Sequence, residues 1–139
     1  MDGRLGDGAR LLTLTALFTA HLLAACAPAV ALPSEPAAPG VVLDTYLRAL
    51  LAGDCDTGGK LATASFRKGN GELCGLTRVT AYRIDGSVQP SPNEVVFSSR
   101  LTTTGTDDHS IVPGEMIWFY SLQRQPDGSW RLAGGGSGP

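Results

Sequence analysis

The chain is poor in the residues and motifs that carry catalysis and metal binding. Among its 139 residues there are two histidines and three cysteines, and no C-x-x-C pair occurs. An H-E-x-x-H motif, a P-loop, a dinucleotide fingerprint and a nucleophile elbow are all absent. The sequence therefore predicts no catalytic residue, no metal site and no cofactor, although it leaves room for a simple acid–base site.

An excess of charge of one sign is also lacking. Lysine and arginine total 11 against 13 aspartates and glutamates, for a formal net charge of −2. Binding to nucleic acid requires clustered positive charge that can neutralise phosphates. We therefore expect no nucleic acid partner.

Long apolar runs are missing except near the amino terminus. Arg4 and Arg10 precede an apolar stretch that extends from Leu11 to Ala25. This stretch is shorter than the roughly 20 residues that a membrane-spanning helix needs. Residues 1–25 are thus predicted to be an export signal peptide.

The end of this stretch, Leu23-Ala24-Ala25-Cys26, resembles the lipobox of bacterial lipoproteins. The resemblance implies cleavage before Cys26 and a thioether-linked diacylglycerol on its sulfur. The membrane would then be a partner, with the protein lipid-anchored on the extracytoplasmic face. Residues 26–40 are rich in proline and alanine, which predicts a semi-extended tether that does not pack a core.

An ordinary secretion signal is the alternative interpretation. Ala25-Cys26-Ala27 and Ala29-Val30-Ala31 both fit the A-x-A cleavage pattern. Cleavage at either site would discard Cys26 and release a freely secreted domain.

The remaining cysteines, Cys55 and Cys74, are expected to form a disulfide, because export leads to an oxidising compartment. Closing a loop of this length stabilises a fold by about 3 kcal/mol.

Two helices are predicted at the start of the domain. The segment Val41–Asp54 has apolar residues at helical spacing, and Gly53 is a natural stop. Asp54 or Asp56 can cap a second helix with an inner face of Leu61, Ala62 and Phe66.

Strand-like alternation follows the helices. Four strands are predicted, over Leu76–Gly86, Asn93–Gly105, Glu115–Gln125 and Ser129–Gly134. In the second strand, Val95, Phe97, Ser99 and Leu101 share one face. In the third strand, Met116, Trp118, Tyr120 and Leu122 share one face, while Ile117 and Phe119 lie on the other. Short connections predict an antiparallel meander.

This order of elements resembles the nuclear transport factor 2-like superfamily, whose members have a cystatin-like cone. The resemblance rests on the first helix, the aromatic strand EMIWFYSLQRQ, the QPDG turn and the closing SWRLAGGG. The resemblance implies an α+β domain over residues 41–136, with two amino-terminal helices packed on a curved antiparallel sheet of about four strands. It allows both enzymes, such as ketosteroid isomerases and polyketide cyclases, and non-catalytic binding domains.

The candidate pocket-lining residues of such a cone are Tyr46, Tyr82, Arg100, Trp118 and Tyr120. Packing alone also accounts for each of them, and Asp107-Asp108-His109 is expected to be a solvated loop. The predicted function is a membrane-anchored envelope lipoprotein with a small binding or accessory domain. Its partner would be an unknown envelope protein or a small apolar ligand. The alternative function is an isomerase- or cyclase-like enzyme that uses an acid such as Asp44 with a tyrosine, and which requires an enclosed pocket.

Overall fold

The computed structural model of the chain describes residues 28–138, so the predicted signal peptide and Cys26 lie outside the described residues. Within this range, no helix is long and apolar enough to cross a bilayer. The described residues form three helices followed by four strands.

Helix α1 comprises Pro39–Ala52. Proline is well suited to the first turn because its missing N–H would have no partner there. Gly53 ends the helix with a left-handed φ of 69°, and its N–H bonds back to carbonyls of the last turn. The helix buries most of the predicted apolar stripe, namely Val42, Leu43, Tyr46, Leu47 and Leu50, whereas Leu51, also predicted in the stripe, is 43% exposed.

The predicted second helix is divided into two short ones, α2 (Cys55–Lys60) and α3 (Ala64–Arg67). Asp54 caps α2 by accepting a hydrogen bond from the N–H of Thr57, as the sequence indicated. The break arises because the chain at 61–63 bonds to β4 instead of continuing the helix. Leu132 donates its N–H to the carbonyl of Leu61 and accepts from the N–H of Thr63. The Thr63 hydroxyl then caps α3.

The sheet consists of β1 (Val79–Ser91), β2 (Glu94–Thr103), β3 (Gly114–Arg124) and β4 (Trp130–Gly136). The strands are antiparallel and lie in the order β1-β2-β3-β4, so the predicted meander is present. Irregularities in the pairing of β1 and β2 near Ile84 and Val88 bend the sheet. The sheet is not closed, since β1 and β4 remain its edges.

Alternation gives the sheet two different faces. The inner face packs against the helices and includes Val95, Phe97, Leu101, Tyr120 and Leu122. The outer face carries the alternate residues, including Val96, Arg100 and Phe119. This division is the one that the period-two pattern predicted for β2 and β3.

Cys55 and Cys74 form the expected disulfide, with their Cα atoms 5.6 Å apart. It joins the first residue of α2 to the segment that leads into β1. This link holds the glycine-containing helix α2 against the domain.

Residues 28–38, here called the strap, differ from the predicted non-packing spacer. Val30 hydrogen-bonds to Asp54 and Thr57, and Glu35 forms an ion pair with Arg131. Ala37 is buried in the main core. Proline and alanine supply little apolar surface, so these contacts depend on polar partners that are distant in sequence.

Candidate functional site

The space between α1 and the sheet is filled by three aromatic rings. Tyr46 from α1 packs edge-on against Phe66, at a centroid distance of 5.5 Å, and against Tyr120, at 5.6 Å. All three side chains are fully buried. The place where a cone-shaped fold could hold a ligand is therefore occupied by the protein's own side chains.

The Tyr46 hydroxyl donates a hydrogen bond of 2.6 Å to Glu72 Oε1, which also accepts from the N–H of Cys74. Burial, together with the nearby Tyr120 and Glu72, raises the pKa of Tyr46 far above its ordinary value. Burial likewise raises the pKa of Tyr120. Both phenols are thus neutral at physiological pH.

Two polar atoms on the inner face are buried without a hydrogen-bond partner among the described residues, Trp118 Nε1 and the Tyr120 hydroxyl. The Trp118 indole lies beside the backbone of Gly135, so closely that a Cβ there would be 2.9 Å from Nε1. Glycine at this position therefore makes room for the indole.

Tyr82 lies at the rim of the inner face. Its hydroxyl donates a hydrogen bond of 2.8 Å to Asp44 Oδ1. Partial burial and the bond to Asp44 raise the pKa of Tyr82 to about 12. The Asp44 side chain is 45% exposed and also forms an ion pair with Arg48.

Arg100 lies on the outer face, opposite to the other four predicted lining residues. Its guanidinium contacts Asp85 at 2.9 Å and Glu115 at 3.2 Å. Arg83, and then Arg100, lower the pKa of Asp85. These residues form a charged cluster across β1, β2 and β3.

Five clefts among the described residues open at the surface, and none of these five is lined by Tyr46, Phe66, Trp118 or Tyr120. Tyr82 and Arg100 share a shallow cleft with Glu115. The structure therefore does not bring the five predicted residues together around one cavity. Within the described range, no three His, Cys, Asp or Glu side chains come together as metal ligands would.

The outer face, by contrast, carries a concave region that is mainly apolar beside Val88 and mixed in polarity beside β4. Two adjoining grooves, of about 360 and 330 Å³, share Val96 and Phe119 in their lining. Val88 from β1 lines one groove. Gly134, Gly135 and Gly136 of β4 line the other, together with the polar side chains of Asn70, Glu94 and Ser121. We call this region the outer groove.

The sequence contained a signal for the outer groove. β3 has apolar residues on both faces, with Ile117 and Phe119 opposite Trp118 and Tyr120. A strand with one solvated face normally alternates apolar with polar residues. Large apolar residues on the second face thus indicate a covered or binding surface, but the sequence does not show that the glycines of β4 extend it.

The fold is similar to those of two solved structures. A ketosteroid isomerase-like protein from Erwinia carotovora atroseptica SCRI1043 is 16% identical, with a TM-score of 0.52, over 75% of this chain and 95% of that one. An NTF2-like protein of unknown function in nutrient uptake from Rhodospirillum rubrum ATCC 11170 is 17% identical, with a TM-score of 0.50, over 71% of this chain and 95% of that one.

At these identities the similarity shows the fold alone, which is the expected nuclear transport factor 2-like fold. The sequence matches no family model and no curated protein. This fold hosts both isomerases and binding domains, so the site has to decide between them.

Proposed function

We propose that this chain is a membrane-anchored envelope lipoprotein whose domain is non-catalytic and binds a partner protein through the outer groove. The anchoring part rests on the lipobox-like Leu23-Ala24-Ala25-Cys26 at the end of the predicted signal peptide. The binding part rests on two features of the fold, the filled interior and the open groove on the outer face of the sheet.

The observation that carries the binding proposal is the filled interior. Tyr46, Phe66 and Tyr120 occupy the region between helix and sheet, whereas the outer face presents the apolar concavity. An enclosed small-molecule site is normally a cavity that buries most of its ligand. The outer groove is open and shallow, which suits a protein surface better than an enclosed small ligand.

The surroundings of the outer groove also suit a protein partner. Val88 is 65% exposed, and Val96 and Phe119 continue its apolar surface across the sheet. The charged cluster of Arg83, Asp85, Arg100 and Glu115 lies beside it on the same face. An apolar centre with a polar rim is the usual anatomy of a protein–protein interface.

The alternative enzyme would need an acid and a phenol in an enclosed, water-excluding site. Asp44 and Tyr82 are within hydrogen-bond distance, but Asp44 is close to half exposed and paired with Arg48. No observation favours this alternative over the binding function.

The test is site-specific photo-crosslinking in the native host, with a photoreactive amino acid in place of Val96. We expect one discrete product, and we expect Val88→Asp to abolish it because a carboxylate cannot be buried at an apolar interface without cost. The matched control is Val41→Asp, since Val41 is also an exposed valine, 48% accessible, but lies on α1. A product that survives Val88→Asp, or that Val41→Asp abolishes equally, would refute the outer groove as the binding site.

A further inference from the structure

We infer that the strap fixes the orientation of the domain on the bilayer, with the end that carries Leu51, Leu76 and Val112 against the lipid surface. This inference rests on the proposed function, because it requires an anchored Cys26. It adds which surface of the domain meets the membrane. We call this end the apolar end.

The strap is held at its beginning by both backbone polar groups of Val30. Its N–H donates to Asp54 Oδ2 at 2.9 Å, and its carbonyl accepts from Thr57 Oγ1 at 3.3 Å. Asp54 and Thr57 immediately follow the carboxyl end of α1. Val30 therefore lies at that end of the helix.

The strap then runs back toward the start of α1. Glu35 Oε1 lies 2.8 Å from Arg131 Nη1, and Ala37 is buried in the core just before α1 begins at Pro39. The amino-terminal side of the strap thus points toward the carboxyl end of α1. A freely rotating tether would not define any such direction.

Chain length then limits where the anchor can be. Cys26 is four residues before Val30, and four extended residues span at most about 14 Å. The lipid on Cys26 must therefore enter the bilayer within about 14 Å of the site where Asp54 holds the strap.

This same end exposes large apolar side chains. Leu51 in the last turn of α1 is 43% exposed, and Leu76, in the turn after the disulfide, is 63% exposed. The β2–β3 loop lies at this end too, because Thr77 Oγ1 donates to the carbonyl of Gly105. That loop carries Val112, which is 72% exposed. Exposed leucine and valine side chains can enter the interfacial region of a bilayer.

Charge does not explain the contact. The β2–β3 loop also carries Asp107 and Asp108, and hydrogen bonds from Thr106 and Ser110 lower the pKa of Asp108 to about 2. Arg78, which lines a cleft with Leu51 at this end, offsets only part of this negative charge, so attraction to anionic headgroups is not the source of the orientation. The short anchored strap and the apolar side chains determine it.

One consequence is that the strands stand away from the membrane. The ten residues of β2 span about 30 Å at the usual rise per residue. The β1–β2 hairpin at Asn93 is then the distal end. The outer groove runs along the side of the domain, where a partner can reach it without displacing lipid.

The test uses the full chain as its native host produces it, in vesicles of phosphatidylethanolamine and phosphatidylglycerol that contain doxyl-labelled quencher lipids. An environment-sensitive fluorescent amino acid replaces Leu76 in one variant and Asn93 in the other. We expect strong quenching at position 76 and little at position 93. Equal quenching at the two positions, or stronger quenching at 93, would overturn the inferred orientation.

A second variant separates the strap from the anchor. A twelve-residue Gly/Ser insertion between Ala29 and Val30 leaves the strap contacts intact and adds about 20 Å of flexible reach. Quenching at position 76 should then fall toward that at position 93. Unchanged quenching would show that the strap does not set the orientation.

Flotation of the same samples with the vesicles reports anchoring independently. A chain that floats but lacks the quenching difference contradicts the orientation and leaves the lipoprotein proposal standing. A chain that does not float contradicts the lipoprotein proposal, and the inferred orientation fails with it.

Discussion

Two tyrosine hydroxyl groups of this domain lie in different surroundings, one in the buried interior and one at the rim of the sheet. Tyr46 is fully buried and donates a hydrogen bond to Glu72. Tyr82 donates a hydrogen bond to Asp44 at the edge of the fold. A hydrogen bond to a charged group contributes about 1.5–3 kcal/mol, and it is worth less where water competes. The two residues therefore make a matched pair for mutation.

Tyr46→Phe should lower the free energy of unfolding by about 1–3 kcal/mol, because Glu72 loses a partly buried donor. Tyr82→Phe should lower it by less than about 1 kcal/mol, since water can replace the lost donor at Asp44. Urea denaturation of both variants measures the difference. A larger loss for Tyr82→Phe would contradict the structural role of the Tyr46–Glu72 bond.

The buried phenols also predict a loss of stability at alkaline pH. Folding raises the pKa of Tyr82 to about 12 and raises the pKa values of Tyr46 and Tyr120 further. Their contribution is complete below the unfolded value near 10 and is lost as pH rises through the folded values. Above pH ~10 the buried Tyr46 and Tyr120 should each reduce stability by up to about 1.4 kcal/mol per pH unit, whereas the loss from the partly solvated Tyr82 is smaller and ends near pH 12.

Ultraviolet absorbance of tyrosinate checks this. One of the three tyrosines should titrate near pH 12, and the other two only when the protein unfolds. Reversible ionisation of all three near pH 10 in the folded protein would show that the aromatic interior is open to water.

At the residue scale, the sequence predicted which side chains share a face, since period-two alternation assigned Val95, Phe97 and Leu101 to the core. It also placed Ile117 and Phe119 on the other face. The same alternation puts Arg100, which is next to Leu101, on the outer face, so its prediction as a lining residue of the same face as Tyr120 conflicted with this pattern. The sequence did not predict the hydrogen bond between Tyr46 and Glu72, because the loop after α3 brings Glu72 to Tyr46 only in the folded chain.

At the scale of elements, local signals were sufficient for α1 and for β2, β3 and β4, whose periodicity is strong. They placed the end of β1 at Gly86, whereas the strand continues to Ser91 and includes Val88. The predicted extent of the second helix was wrong, because the break between α2 and α3 depends on backbone hydrogen bonds to Leu132, which is distant in sequence. The strap was also not foreseen, since a proline- and alanine-rich composition carries no information about Asp54 and Arg131. Long-range polar contacts explain both differences.

Removal of the disulfide tests the element that joins α2 to β1. The double variant Cys55→Ser/Cys74→Ser should lose about 3 kcal/mol of stability, through the greater entropy of its unfolded chain. Thermal unfolding with and without reductant measures this. Reductant should lower the Tm of the parent protein and leave the variant unchanged. If both thiols of the untreated protein react with a maleimide, the pair is not bonded.

Asp54→Ala tests the attachment of the strap. It removes the acceptor for the N–H groups of both Val30 and Thr57, so both amides should exchange faster with deuterium. Asp56→Ala is the matched control, because Asp56 is an exposed acid two residues away in the first turn of α2. Unchanged exchange at Val30 in Asp54→Ala would mean that the strap is held by other contacts.

At the scale of the whole molecule, the fold was predictable because the order of helices and strands permits few arrangements. The function was not, because the same fold can enclose a catalytic pocket or fill it. Here the aromatic interior fills it, and the apolar surface lies outside, on the outer groove and at the apolar end. We therefore propose that the domain acts as a binding surface and that the anchor on Cys26 determines its position.

The mass of the amino-terminal peptide, from protein produced in its native host, tests this account most directly. We predict a peptide that begins at Cys26 and carries a diacylglyceryl or triacylated modification. An unmodified terminus at Pro28 or Leu32, as the two A-x-A patterns would give, would contradict the membrane anchor and make the protein a freely secreted domain.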